Sequence, residues 1–158
     1  MSRESKEELL REVIYAARAS EAATDRFDAL AAEALGINRT DARCLDIVDN
    51  EGGAVTAGRL AELAGLTTAA VTAVLDRLDA KGYARRVRDE SDRRRVLVEL
   101  TPLLRERTEA IWGPLGREGQ KQLERFTVAE LRSMIEYFGM AREVNERHAE
   151  RIRDLRFD

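Results

Sequence analysis

The sequence predicts a mainly α fold with a small β-wing, a winged helix-turn-helix set between N-terminal and C-terminal dimerisation helices. Three observations predict it. Two short helical patterns meet at Gly65, two short strand patterns follow at residues 83–88 and 95–100, and long amphipathic stretches flank the whole. A tight helix pair with a hairpin on its flank is the outline that lays one helix in a DNA major groove.

Residues 7–35 carry Leu10, Val13, Ile14, Ala17, Ala23, Phe27, Leu30, Ala34 and Leu35 at mostly helical spacing. Gly36 follows as the residue that tolerates φ > 0 after a helix. This apolar face exceeds the needs of a small core, and a second copy of the chain is the simplest partner for it. Asn38 caps a second helix, with Asp41 in its first turn and Leu45, Ile47 and Val48 as apolar contacts. That helix ends near Asn50, before a turn at Gly52 and Gly53. Ala54 and Val55 fit a brief strand, and Thr56 caps a third helix that runs to Ala64.

Thr67 caps the fourth helix, with Leu66 and Val71 at the spacing of a hydrophobic staple. Val71, Val74, Leu75 and Leu78 make its buried stripe, which leaves Thr68, Ala69, Thr72, Ala73, Asp76 and Arg77 outside. Gly82 stops it, and in the strands Val96 and Val98 alternate against Leu97. Thr101 and Pro102 restart a helix as cap and first residue. Its apolar face holds Ile111, Trp112, Leu115, Leu123 and Phe126, and Gly113, Pro114, Gly116 and Gly119 should kink or break it. A capping box, Thr127-x-x-Glu130, opens a last helix bearing Leu131, Met134, Ile135, Phe138, Val144, Ile152 and Leu155. The expected organisation is a dimerisation helix over residues 1–36, the winged domain over 37–101 and C-terminal dimerisation helices over 102–158.

Composition narrows the classes. With 158 residues, 44% hydrophobic and 36% charged, the chain suits one domain with a core and is not compositionally disordered. No apolar run approaches the roughly 18 residues of a membrane span, and the charged residues 1–11 lack a signal-peptide apolar region. A cytoplasmic protein without a membrane partner is expected. The single cysteine, Cys44, forms no intramolecular disulfide and no cysteine zinc cluster.

The formal net charge of −3 runs against the basic footprint usual for nucleic-acid binders. Its distribution does not. From residue 81 to 95, Lys81, Arg85, Arg86, Arg88, Arg93, Arg94 and Arg95 face only Asp89, Glu90 and Asp92.

On the fourth helix, Thr68 and Thr72 can bond base edges or phosphates, and Ala69 and Ala73 can touch thymine methyls. Thr67 marks the helix N-terminus, whose free N–H groups suit a phosphate. Arg77, one turn beyond Ala73, reaches for a guanine or the backbone. Little of this face is bidentate, so modest base discrimination is expected. Residues 89–95 would be the wing. An arginine at such a tip can enter a narrow minor groove, and Asp92 suits an anchor that orients Arg94, with Arg93 beside it. An ordinary surface helix and a solvated charged turn are the plainer alternatives.

Residues 56–101 resemble the MarR family of bacterial transcriptional regulators. The resemblance rests on L-A-E-L-A-G-L-T-T-A-A-V-T-A-V-L-D-R-L-D-A-K-G-Y-A-R-R and then D-E-S-D-R-R-R-V-L-V-E-L-T. The second piece is similar to the family's wing: an Asp, two variable residues, Asp-Arg-Arg, then a strand into Leu-Thr. With Asp76-Arg77-Leu78, Lys81-Gly82 and the flanking helices, the resemblance covers nearly the whole chain. It implies a homodimer with intertwined first and last helices, two winged domains on a pseudopalindromic double-stranded operator, and repression relieved by a small-molecule effector. It also implies that Thr68, Thr72 and Arg77 contact the major groove, that Asp92 braces the wing, and that Arg94 enters the minor groove. Ala73 departs from relatives that carry a larger or charged residue there.

Other residues invite other chemistry. Cys44 could sense oxidants, but relatives with a single peroxide-sensing cysteine carry it near the start of the first helix, where this chain has none; a small buried hydrophobe is the alternative. His148 is the only histidine and has no second to share a metal. Tyr15 and Trp112 are candidates for an effector pocket, or for core or dimer packing. Nothing resembles a nucleophile–base pair or phosphate-cradling loop, so neither catalysis nor a cofactor is expected. Two further readings remain: a winged protein-interaction module meeting an acidic partner, and a redox-responsive regulator acting through Cys44.

Overall fold

Side-chain caps fix where the helices begin. The computed structural model describes residues 5–89, 92, 95–153 and 155–156. In chain order these form α1 (Lys6–Leu35), α2 (Arg39–Asn50), β1 (Ala54–Thr56), α3 (Ala57–Ala64), α4 (Thr68–Ala80), β2 (Ala84–Arg88), β3 (Val96–Leu100), α5 (Pro102–Leu123) and α6 (Val128–Arg153). The side chains of Asn38, Thr56 and Thr67 accept backbone N–H bonds from Asp41, Arg59 and Ala70 at 2.9, 3.2 and 3.2 Å. Each satisfies a donor that the first helical turn leaves open. One cap escaped the sequence reading. Ser5 and Glu8 form a reciprocal capping box that opens α1, with bonds of 2.7 and 3.2 Å. The Ser5 N–H holds the Glu8 carboxyl below its usual range.

Gly65 closes the turn between α3 and α4 at φ 64°, a left-handed conformation in which a side chain would be strained. The strands form one antiparallel sheet in the order β1-β3-β2. Val55 lies opposite Val98, and β2 pairs with β3 from Ala84 opposite Leu100 to Arg88 opposite Val96. Only part of the expected alternation holds. Val98 and Leu100 are buried, whereas Val96, at the outer end of the hairpin, is exposed.

The chain divides into two units, residues 1–111 and 112–158, with α5 contributing to both. The core of the first unit joins Leu45 and Val48 of α2, Leu60 of α3, Val71, Val74, Leu75 and Leu78 of α4, Tyr83, and Val98 of β3, all buried. Full burial of each large aliphatic side chain stabilises by about 1.5–3 kcal/mol. Ala31 and Leu35 tie the C-terminal end of α1 into this core, and Leu104 ties in the start of α5. Thr101 Oγ1 accepts from the Leu104 N–H at 3.2 Å and donates to the Gly82 carbonyl at 2.6 Å, so the cap of α5 also holds the end of α4.

In the second unit, the expected break in α5 does not occur. The helix runs without interruption through Gly113, Pro114, Gly116 and Gly119. Pro114 forfeits one backbone bond, and neither it nor the glycines around it end the helix. Thr127 and Glu130 form the expected box at the head of α6, with bonds of 2.8 and 3.3 Å, and the Thr127 N–H holds the Glu130 carboxyl low. None of the residues of α6 is buried. Among the described residues, no single helix is long and apolar enough to cross a membrane.

Candidate nucleic-acid interface

The helix-turn-helix positions α4 by its buried stripe, which turns the opposite face outward. Thr68, Ala69, Thr72 and Ala73 are exposed there, as the periodicity predicts. Thr67 Oγ1 accepts from the Ala70 N–H, which leaves its own hydroxyl proton free beside the helix N-terminus. The Thr72 hydroxyl donates to the Thr68 carbonyl at 3.0 Å, which leaves its oxygen as an acceptor.

Arg77 has a partner that the sequence reading did not name. Its Nε donates to Asp41 Oδ2 at 3.1 Å and its Nη2 to Asp41 Oδ1 at 2.5 Å. Asp41 is only 2% exposed. Its carboxylate pushes the Arg77 guanidinium further towards the charged form. A buried carboxylate needs a paired cation, and a bidentate guanidinium supplies the best geometry for it. Asp41 therefore clamps the first turn of α2 to the last turn of α4, beyond any effect on the helix dipole. Asp76 is also engaged, since Arg86 Nη2 of β2 donates to its Oδ1 at 2.8 Å. A separation of 36 residues hides the Asp41–Arg77 pair from any local pattern in the sequence.

At the hairpin, Asp89 organises the turn. Its N–H donates to the Arg95 carbonyl at 3.1 Å and its Oδ1 accepts from the Asp92 N–H at 3.4 Å. The Asp92 carbonyl accepts from the Arg95 N–H at 2.8 Å. Arg93 and Arg94 lie outside the described residues. Arg85 of β2 pairs across the hairpin with Glu99 of β3 at 3.1 Å.

Away from this face, Cys44 is 1% exposed, and burial first, then the Asp41 carboxylate, push its thiol pKa up. That is the setting of an inert structural cysteine, because the thiolate is the reactive form. His148 Nδ1 accepts from Arg151 Nε at 3.2 Å on an exposed stretch of α6. Tyr15 is 77% exposed on α1, and Trp112 is half-buried on α5.

One residue of the first unit was missed outright. The buried Tyr83 hydroxyl donates to the Leu35 carbonyl at 3.0 Å, and Arg107 donates to that hydroxyl with its guanidinium 5.4 Å from the ring centroid. One side chain thus joins the end of α1, the start of β2 and α5.

A sequence profile described as the MarR family matches residues 35–95. An uncharacterized HTH-type transcriptional regulator of Bacillus subtilis (strain 168), YcgE, is 34% identical over 152 residues, covering 96% of this chain and 98% of that protein. The fold is similar to that of RV1404 from Mycobacterium tuberculosis, with a TM-score of 0.63, 23% identity, and coverage of 90% of this chain and 96% of that one. It is also similar to MepR of S. aureus in a complex with DNA, with a TM-score of 0.58, 19% identity, and coverage of 82% and 97%.

Proposed function

The chain belongs to the MarR family of transcriptional regulators, and from that premise we propose that it represses transcription as a homodimer on a pseudopalindromic double-stranded operator. The observation that carries the reading is the division of α4 into two faces. Val71, Val74, Leu75 and Leu78 are buried to 2% exposure or less, while Thr68, Ala69, Thr72 and Ala73 stand exposed next to a basic hairpin. An α-helix anchored by one face and small on the other fits a major groove. In this reading Thr67, Thr68, Ala69, Thr72 and Ala73 meet the groove, Asp92 shapes the wing, and Arg93 and Arg94 follow the minor groove and backbone.

Residues 1–36 and 102–158 carry dimerisation in this reading, and residues 37–101 carry DNA binding. Exposed apolar residues on α1 and α6 support the pairing, among them Ile14, Leu30, Ile135 and Phe138. A small-molecule effector that relieves repression belongs to the reading as well. The protein works in the cytoplasm without catalysis or a cofactor.

Fluorescence anisotropy on duplex DNA from the region upstream of the protein's own coding sequence, against a scrambled duplex at several salt concentrations, tests the reading. Tighter binding to the upstream duplex is expected, falling steeply with salt as counterions are released. Arg94→Ala should weaken it by about tenfold, in line with the loss of roughly 1–3 kcal/mol per specific contact, with the dimer intact. Equal, weak binding to every duplex enriched from genomic fragments would turn the reading towards protein interaction.

A further inference from the structure

Resting on the DNA-binding reading above, we propose that Asp41 is a positioning residue for operator recognition. It grips one edge of the Arg77 guanidinium from inside the fold and so presents the opposite edge to a pair of acceptors on the DNA. A guanidinium carries five N–H donors in a fixed plane. Asp41 takes one from Nε and one from Nη2, which together make the side edge of the fork. Both hydrogens of Nη1 and the second of Nη2 remain, and Nη1 with Nη2 makes another two-donor edge. Among the described residues, no other acceptor holds Arg77.

Burial orients the two edges. The Asp41 side chain is 2% exposed and that of Arg77 46%, so the gripped edge faces the interior and the free edge faces solvent. Arg77 lies in the last turn of α4, one turn beyond the exposed Ala73, whose methyl is too short to screen it. An unpaired arginine loses side-chain freedom when it docks, whereas this one has lost it on folding. A preorganised two-donor edge matches two acceptors side by side: O6 and N7 of a guanine, or two oxygens of one phosphate. Asp41 itself is buried and touches no DNA. Its replacement by alanine adds a positive charge to the surface, which on charge alone would tighten binding to any duplex. If Asp41 aims Arg77, operator binding weakens instead.

The test maps operator contacts for the full chain and three variants. Duplexes enriched from a random pool are re-synthesised with each half-site guanine replaced singly by 7-deazaguanine and each phosphate by methylphosphonate. In wild type, one position per half-site should lose about tenfold in affinity on account of Arg77. A 7-deazaguanine position identifies a base edge, and a methylphosphonate position identifies a phosphate. That sensitivity should vanish in Arg77→Lys, which keeps the cation but has no second edge. It should vanish equally in Asp41→Ala and in Asp41→Asn, which keeps the side chain's shape, while the remaining positions stay sensitive. Each map compares duplexes on one preparation, so an unfolded fraction cancels. A map for the Asp41 variants identical to wild type would overturn the inference, as would an unchanged map for Arg77→Lys. Failure of the pool to enrich any sequence would overturn the DNA-binding reading itself, and this inference with it.

Discussion

Asp41 and Arg77 make an asymmetric pair, because one partner is buried and the other has a side chain 46% exposed. Removing the two should therefore cost different amounts. Arg77→Ala leaves a buried carboxylate without its cation and is expected to be the more costly of the two. Asp41→Ala lets the guanidinium return to water and should cost about 1 kcal/mol. Urea midpoints at neutral pH compare them, and equal losses would mean that Asp41 is already hydrated in the native protein. Cys44, also buried beside Asp41, gives a second prediction at this scale. Its thiol pKa is raised in the folded state, so the folded protein keeps a proton that the unfolded chain releases above pH of about 8.5. Stability should fall as pH rises beyond that value, since the unfolded chain then binds fewer protons. Melting temperatures at pH 7 and pH 10 should separate more for wild type than for Cys44→Ala; identical separations would reject the linkage. The same burial means that oxidant at neutral pH should leave DNA affinity unchanged.

Between elements, the joint at Tyr83 is the one most open to a clean test. Tyr83→Phe keeps the ring and its contact with Arg107 but deletes the hydroxyl that donates to the end of α1 and accepts from α5. A loss of about 1–2 kcal/mol is expected, because a buried carbonyl loses its donor. Urea unfolding would measure it, and a change below a few tenths would show that water replaces the hydroxyl. This joint also marks where sequence reading stopped. Caps at Asn38, Thr56, Thr67, Thr101 and Thr127, the turn at Gly65 and the buried stripe of α4 all follow from residues no more than four positions from the next. Local backbone chemistry fixes such features, so a single sequence displays them. The Tyr83–Leu35 and Arg77–Asp41 contacts join residues 48 and 36 positions apart, and no periodicity encodes them. At Pro114 the expected break fails for a related reason: a helix-breaking tendency is a local cost, and here it does not end the helix. In the candidate site, the exposed residues of α4 were legible because burial fixes the opposite face, whereas the pairing of Arg77 with Asp41 was not.

At the scale of the whole molecule, the apolar surface left over by each unit is the main unexplained quantity. Leu9, Leu10, Val13 and Ile14 line the N-terminal half of α1 and are all exposed, although the same helix is anchored at its far end by Ala31 and Leu35. Apolar residues repeated at three- and four-residue spacing on a helix are costly to leave in water, and in the proposed homodimer a second copy of the same helix would cover them at no cost in new sequence. The anchor and the exposed stretch are separable. Deleting residues 1–18 removes Leu9 to Ile14 and leaves Ala31, Leu35 and the core of the first unit in place. The shortened chain should fold, with the helical circular dichroism of the remaining elements, and should scatter light as a monomer. The full chain should scatter with twice its 17.8 kDa mass, and its melting temperature should rise with protein concentration, because association stabilises only the folded form. The shortened chain should lose that concentration dependence. A shortened protein that stays dimeric would move the interface to α5 and α6 and leave the start of α1 for a different partner.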